Sequence, residues 1–437
     1  MNNINVDKSK FVFIQDTGVI YDEQLKSKAV GYYQDAWNRF KKNKASLIAF
    51  IILIVIMLMS MVGPHIRNYD LVSNQESRKW TDRLKEMPPR ISGLEWLGFN
   101  GHKTLEGFPQ RFDILLNDEN AEGIIIGNFS KPNAIGMVKV KVDYYKYIDY
   151  MNSYDSYLSL SIKEYETAKA YEAANPGEVI IHEDGELING TYQVRVHFFK
   201  FLEVVYGNTN QDFWFGSTVA GNDLFTLMWE GLSVSLLIAF MVAAINIIVG
   251  IIVGSISGYY GGTLDLVIER ISEILSGLPF MAILTLLLLR YGNTTWIVII
   301  AFTLTGWLGI SALTRAQFYR YKNREYVLAA RTLGASDIRI MAKHIFPSTV
   351  GTLITSLVLY IPGVITSEST FAYLGIINYS NAQSFGALLS DGQARMMSAF
   401  HLVIFPSLVI SFMILAFNLF GNGLRDAFNP SLRGVEE

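Results

Sequence analysis

The side chains here with chemistry to offer are few, and their spacing argues against catalysis. His65, His102, His182 and His197 share one polar segment, yet no two are spaced as ligands on one element, so they read as surface histidines. Cysteine is absent, which removes thiolate metal sites and disulfides alike. Neither Gly-Lys-Ser nor Gly-Lys-Thr occurs, so the chain has no loop to cradle a triphosphate. No nucleophile with a base beside it can be picked out. What remains is charge set against long apolar runs: Arg270 with Glu273, Glu368, and a basic stretch ending at Pro347. Charges in such places pair, snorkel or dock. Arg270 and Glu273, three apart on a helix, are expected to pair near a membrane surface. Glu368, closing an apolar run, is expected to reach the headgroups, with a place in a polar pathway as the alternative, and Pro279 to kink its helix and so help line a pathway.

The basic stretch is the polar centre of the sequence. From Arg324 onward it carries the helix formers Leu328, Ala329, Ala330 and Leu333, and Gly334 stands where a helix stops in a left-handed turn. Ser336 can cap a second short helix running to Phe346, where Pro347 bars continuation. Two short helices hinged at a glycine, with Arg324, Arg331, Arg339 and Lys343 on their flanks, form a knob suited to a groove on another protein.

The elements that must hold this knob are read from composition. Of 437 residues, 51% are apolar and 17% charged, a membrane-protein balance. The net charge of −3 hides a segregation of charge into a few segments. Residues 1–44 carry Lys8, Lys10, Lys26, Lys28, Arg39, Lys41, Lys42 and Lys44, which predicts a cytoplasmic N-terminus. Within them Ala36, Trp37 and Phe40 recur at helical spacing opposite Asp35, Arg39 and Lys42, the pattern of an amphipathic helix on the inner membrane surface. No cleavable leader pattern follows Met1, so the first apolar run is expected to stay.

Residues 45–63 are uncharged and span about 28 Å as a helix, enough to cross the hydrocarbon core. Residues 223–437 hold five further expected spans: 231–257, one containing Pro279, 294–314, 348–367 and 396–419. The basic stretch 315–347 between the fourth and fifth returns to the cytoplasmic side by its charge. Gly250, Gly254 and Gly258 lie four apart, a ridge of small residues that lets another helix come close.

Residues 64–222 differ, being polar, aromatic-rich and more acidic than basic. Met137 to Tyr150 and Thr191 to Val205 alternate as strands do, 182–186 reads as a hairpin turn, and Ser159 to Ala174 favours helix. The expectation is an inserted extracytoplasmic α+β domain with its own core.

The stretch around Gly334 resembles the cytoplasmic coupling segment of ABC-importer permeases: Ala329, Ala330, Gly334 and Pro347 fall on its pattern, while Leu328, His344 and Phe346 depart from it. The approach to the second span, with Phe215, Gly216, Gly221 and Asp223, is similar to peptide-importer permeases of the C type, and Ser217, Thr218 and Asn222 depart. Arg270, Glu273 and Pro279 match as well, as do Leu374-Gly375, the turn around 385–392, and the tail from Gly421 to Pro430. The likeness covers 213–434 closely and 32–63 loosely, and leaves out most of the insert.

The resemblance implies a six-helix ABC type I importer permease fold and a transmembrane permease subunit of an oligopeptide importer in the bacterial cytoplasmic membrane, both termini inside. It further implies a second homologous permease, two ATP-binding cassette ATPases that bind the ATP and magnesium, and an extracytoplasmic peptide-binding protein. The coupling candidates are Ala329, Ala330, Gly334 and Pro347, which the resemblance marks, with their neighbours Glu325, Arg331 and Ala335; Arg270, Glu273 and Pro279 are structural or pathway candidates by the same resemblance, and Glu368 by its place at the end of a span. Dipeptides and metal chelates are alternative cargoes. A membrane receptor that uses the insert to sense ligand is an alternative class, against which stands the lack of a long output domain after any span.

Overall fold

The computed structural model describes residues 32–67, 78–207, 212–379 and 384–428; Lys8, Lys10, Lys26 and Lys28, and the tail from Asn429, lie outside them. The chain enters through α1 (Tyr32–Lys42), which buries Ala36 and Phe40. Asn43 then caps α2 (Lys44–Ile66), its side chain accepting from the Ser46 amide at 3.2 Å.

An α+β unit follows. Strand β1 (His102–Gly107), helix α3 (Gln110–Asn117) and strand β2 (Val138–Asp143) come first, and β1 and β2 pair antiparallel. Helix α4 (Tyr144–Tyr150) leads to β3 (Leu158–Ser161) and α5 (Ile162–Ala174). Then come β4 (Ile181–Glu183), β5 (Leu187–Ile188), β6 (Thr191–Val196) and α6 (Phe198–Tyr206). β6 pairs with β3, β4 and β5, all antiparallel. One core gathers Trp80, Leu160, Val194, Phe198 and Phe201, and a second Phe112, Val140, Val142 and Tyr147.

Three expectations for this unit are corrected. The two long strands end halfway, at Asp143 and Val196, and helices take over. Asp143 accepts from the Tyr145 and Lys146 amides and so starts α4, whose tyrosines also fit a helical spacing, Tyr144 stacking on Tyr147 at 5.8 Å. Residues 182–186 do not close a hairpin, because β4 and β5 both pair with β6. His102, His182 and His197 are half-buried; His182 stacks on Tyr154 at 4.9 Å and donates from Nε2 to the Ser153 carbonyl at 2.8 Å.

The second half is helical. It comprises α7 (Leu224–Tyr260), α8 (Gly262–Ser276), α9 (Phe280–Tyr291), α10 (Thr295–Tyr321), α11 (Glu325–Thr332), α12 (Phe346–Tyr373), α13 (Phe385–Ala394) and α14 (His401–Phe428). Among the described residues α2, α7, α10 and α14 are each long and apolar enough to cross a membrane; the α8–α9 pair, bent by 73°, and the pair 337–354 with 356–373 raise the number to six if each crosses as one. The sixth expected span begins later than its apolar run suggested, at His401, because residues 395–400 form turns.

The glycine ridge of α7 lies against α10. A Cβ at Gly250 would stand 2.7 Å from Cβ of Ile310, and one at Gly258 2.7 Å from the Arg315 carbonyl, so only glycine permits this approach. α2 packs on α7 and α14, and α12 on α7 and α14.

The α+β unit is pinned to the bundle at the start of α7. Asp223 caps that helix through the Thr226 amide at 3.0 Å and lies 3.6 Å from Arg67, both buried. Gly216, with φ +85, brings the backbone so close to the His401 ring that no Cβ fits, and Phe215 stacks on Phe405 at 4.3 Å.

Candidate functional site

The knob around Gly334 is built from α11 and the chain running into α12. Gly334 adopts φ +82; its amide donates to the Arg331 carbonyl at 3.0 Å, and the Ala335 amide to the Ala330 carbonyl at 3.1 Å. This hydrogen-bonded glycine stop satisfies carbonyls that the helix end would leave open. The expected second short helix is corrected. After Asp337–Arg339 the chain passes through a π-turn, Ile340–Ile345, straight into α12, and Pro347 sits in the first turn of that helix instead of ending one. Proline lacks only an N–H that the first turn cannot use, so its place there is natural.

The knob has a core of its own. Val327, Ile340 and Ile345 are fully buried against Tyr259 and Phe318, with the half-buried Ala335 packed against them; Ala330 is buried as well. Outside it are Glu325, Ala329, Arg331 and Pro347, all exposed. The apolar Leu328, Leu333 and Ile338 are exposed too, Leu333 at 88% and Ile338 at 75%. Sequence reasoning took Leu333 for a helix former and passed over Ile338, since nothing in a one-dimensional pattern says which apolar residue of a short helix faces outward.

One polar node fastens the knob to the bundle, and a second beside it ties the helices of the bundle to one another. Tyr259, near the end of α7, donates to Asp337 at 2.6 Å and accepts from Arg331 at 3.3 Å. Beside it, Arg315 of α10 grips Asp265 of α8 with two parallel bonds of 2.6 and 2.8 Å, and Tyr319 and Ser257 also donate to that carboxylate. Fork-on-carboxylate geometry is among the stronger protein hydrogen-bond arrangements. Lys322 adds bonds to the Gly258 and Tyr259 carbonyls at 2.9 and 3.4 Å. Asp265 went unremarked in the sequence because Arg315 and Tyr319, which hold it, lie 50 and 54 positions away.

The other marked residues stand apart from the knob. Arg270 and Glu273 pair at 2.5 Å on the exposed face of α8. Pro279 caps α9 at the 73° bend. Glu368 lies on α12, roughly 30 Å along the helix from Pro347. Its expected reach toward the headgroups is corrected: the carboxylate is fully buried and accepts from Ser235 at 2.7 Å, Tyr379 at 3.1 Å and Ser369 at 3.4 Å. Three hydroxyls supply in the interior what water would have supplied outside.

A bundle of helices long and apolar enough to cross a bilayer, carrying a cored, polar-anchored knob, defines the class as that of an integral membrane protein. The chain belongs to the family of binding-protein-dependent transport system inner membrane components, whose profile matches residues 247–434. The profile of the N-terminal TM domain of oligopeptide transport permease C matches residues 31–89. The dipeptide transport permease DppC of Bacillus subtilis is 39% identical over 223 residues, 51% of this chain and 70% of that one. The oligopeptide transport permease OppC of the same organism is 36% identical over 224 residues, 51% of this chain and 73% of its own. DppC of Lactococcus lactis is 26% identical over 430 residues, 98% of both chains, so that alignment runs through the α+β unit as well. The protein is thus a multi-pass permease subunit of an ABC peptide importer, which sets aside the receptor reading.

Proposed function

We propose that this subunit forms an oligopeptide pathway with a second, homologous permease and takes its driving force through residues 324–347 from an ATPase subunit. ATP and magnesium are held by two such partners. The observation that carries this reading is the exposed apolar tip, Leu328, Leu333 and Ile338, on a knob that is internally packed and bonded through Tyr259 to the longest helix. A rigid knob with an apolar tip fits a cleft on a partner, and its bonds to α7 pass displacement to the bundle. In this arrangement the chain crosses the membrane six times with both termini and the knob in the cytoplasm. The α+β unit is extracytoplasmic and helps seat a peptide-binding protein over the pathway. Dipeptides are the second reading of the cargo, because the relative aligned over 98% of both chains carries that name.

Cysteine crosslinking tests the docking. With L333C or I338C in the otherwise cysteine-free chain, the assembled complex should give a crosslink to an ATPase subunit that ATP alters. Free labelling of both positions by a water-soluble maleimide inside the intact complex, without any crosslink, overturns it.

A further inference from the structure

At one edge of the α+β unit the chain doubles back over residues 91–99. The Ile91 amide donates to the Phe99 carbonyl at 3.1 Å, and Arg90 bridges Asn100 antiparallel. Between them Gly93 and Gly98, with φ of 87° and 97°, flank a single tight turn, Glu95–Leu97. The loop is therefore held in one shape, and that shape presents Leu94, Trp96 and Leu97 outward, Trp96 at 79% exposure. Glu95 turns back onto its own backbone, accepting from the Gly93 amide at 3.0 Å.

The base of this loop rests on a membrane-crossing helix. Phe99 stacks on Phe405 at 5.9 Å, and Phe405 lies in the second turn of α14. With 28 residues, α14 is about 42 Å long against a hydrocarbon thickness of about 30 Å, so its first turns fall at the headgroup boundary. The turn entering α14 exposes Met396, Met397 and Phe400 at that same end. Tryptophan is favoured at this depth, where its ring meets apolar chains and its N–H meets water or carbonyls.

The geometry points to an interfacial anchor: the Leu94, Trp96 and Leu97 tip seats in the headgroup layer beside the start of α14 and sets the height of the α+β unit over the bilayer. Two observations favour lipid over a protein. The base of the tip meets Phe405, which by helical spacing shares a face of α14 with the exposed Leu408, Phe412 and Leu415. A stable protein contact needs roughly 800 Å² on each partner, more than three side chains on a narrow turn present. The anchor needs only that the chain crosses the membrane, and holds whatever the cargo or the coupling partner.

Because the chain has no cysteine, W96C and L97C can each carry a single nitroxide in the full-length protein, assembled with its partner subunits in phosphatidylcholine and phosphatidylglycerol vesicles. Oxygen should relax the labels at 96 and 97 more than a water-soluble nickel chelate does, and K131C, on an exposed stretch of the same unit, should show the reverse order. Acyl-brominated lipid should quench the emission that distinguishes the unsubstituted protein from W96F. Nickel-dominated relaxation at 96 and 97 puts the tip in water and overturns the proposal, as does shielding from both reagents, which means a protein covers it. If W96C does not assemble, the emission difference decides alone, and its indifference to brominated lipid overturns the proposal.

Discussion

The Tyr259 hydroxyl donates to the Asp337 carboxylate at 2.6 Å and receives Arg331 at 3.3 Å, so one side chain ties both sides of the Gly334 hinge to α7. Force applied to the knob reaches the bundle through a bond as well as through packing. Tyr259→Phe keeps the ring in its core and removes both bonds. With Asp337 and Arg331 exposed, the loss is about 1 kcal/mol, roughly fivefold in the coupling equilibrium. Uptake by reconstituted complex should fall several-fold while ATPase subunits still copurify. Uptake at the original rate would show that packing alone carries the displacement.

Gly334 has φ +82, and no atom lies within 4 Å of where its Cβ would be. Any defect on substitution is therefore conformational and not a clash. Gly334→Ala should cost about 1 to 2 kcal/mol in the turn, and Gly334→Val more, since branched side chains suit left-handed backbone least. Transport should decline in that order at constant expression, and equal rates for all three proteins would detach the turn from function.

Two glycines of α10 make an internal comparison. A Cβ at Gly306 would press into the Asn246 amide and the Tyr360 hydroxyl, which are bonded to each other at 2.8 Å; one at Gly309 meets nothing within 4 Å. Gly306→Ala should lower the melting temperature of the detergent-solubilised protein. Gly309→Ala should leave it unchanged or raise it, since alanine stabilises a helix interior by about 0.5 to 1 kcal/mol over glycine. A reversal of that order would mean that α7, α10 and α12 meet differently.

Replacing Glu368 by Ala strands the Ser235 and Tyr379 hydroxyls in the interior, at about 1 to 3 kcal/mol for each group left unsatisfied. Glu368→Gln keeps an acceptor in place and should recover much of the loss. Thermal stability measured on both variants separates this role from a headgroup contact, for which the two would behave alike.

Burial holds the His182 imidazole below its ordinary value of 6.5, and His102 likewise. The unfolded chain binds these protons more readily, so the stability they contribute is full above about pH 6.5 and is lost as pH falls below it. Burial raises the Asp149 carboxyl, whose contribution runs the other way, being full below its unfolded value and lost as pH rises through the folded one. Hydrogen exchange in residues 181–197 should quicken between pH 7 and 5.5, after correction for intrinsic rates, and His182→Phe should blunt the change while keeping the stack on Tyr154. Flat exchange across that window would rule the histidine out as its cause.

Much of this protein could be read from residue order, because in a membrane the largest energy is set by composition over twenty consecutive residues. The apolar runs, the close-approach stripe of Gly250, Gly254 and Gly258, the break at Pro279 and the glycine stop at Gly334 each follow from a property carried by a single residue or a short repeat. What needed the tertiary structure was everything decided by distant partners. Glu368 is buried because α7 and the segment at Tyr379 bring hydroxyls to it, and Asp265 matters because α10 folds Arg315 onto it. Pro347 opens a helix only because a π-turn feeds the chain into α12. The apolar tips at Leu333 and Trp96 face outward because other residues have already filled the cores beneath them, and an isolated pattern of apolar letters contains no record of which places are taken.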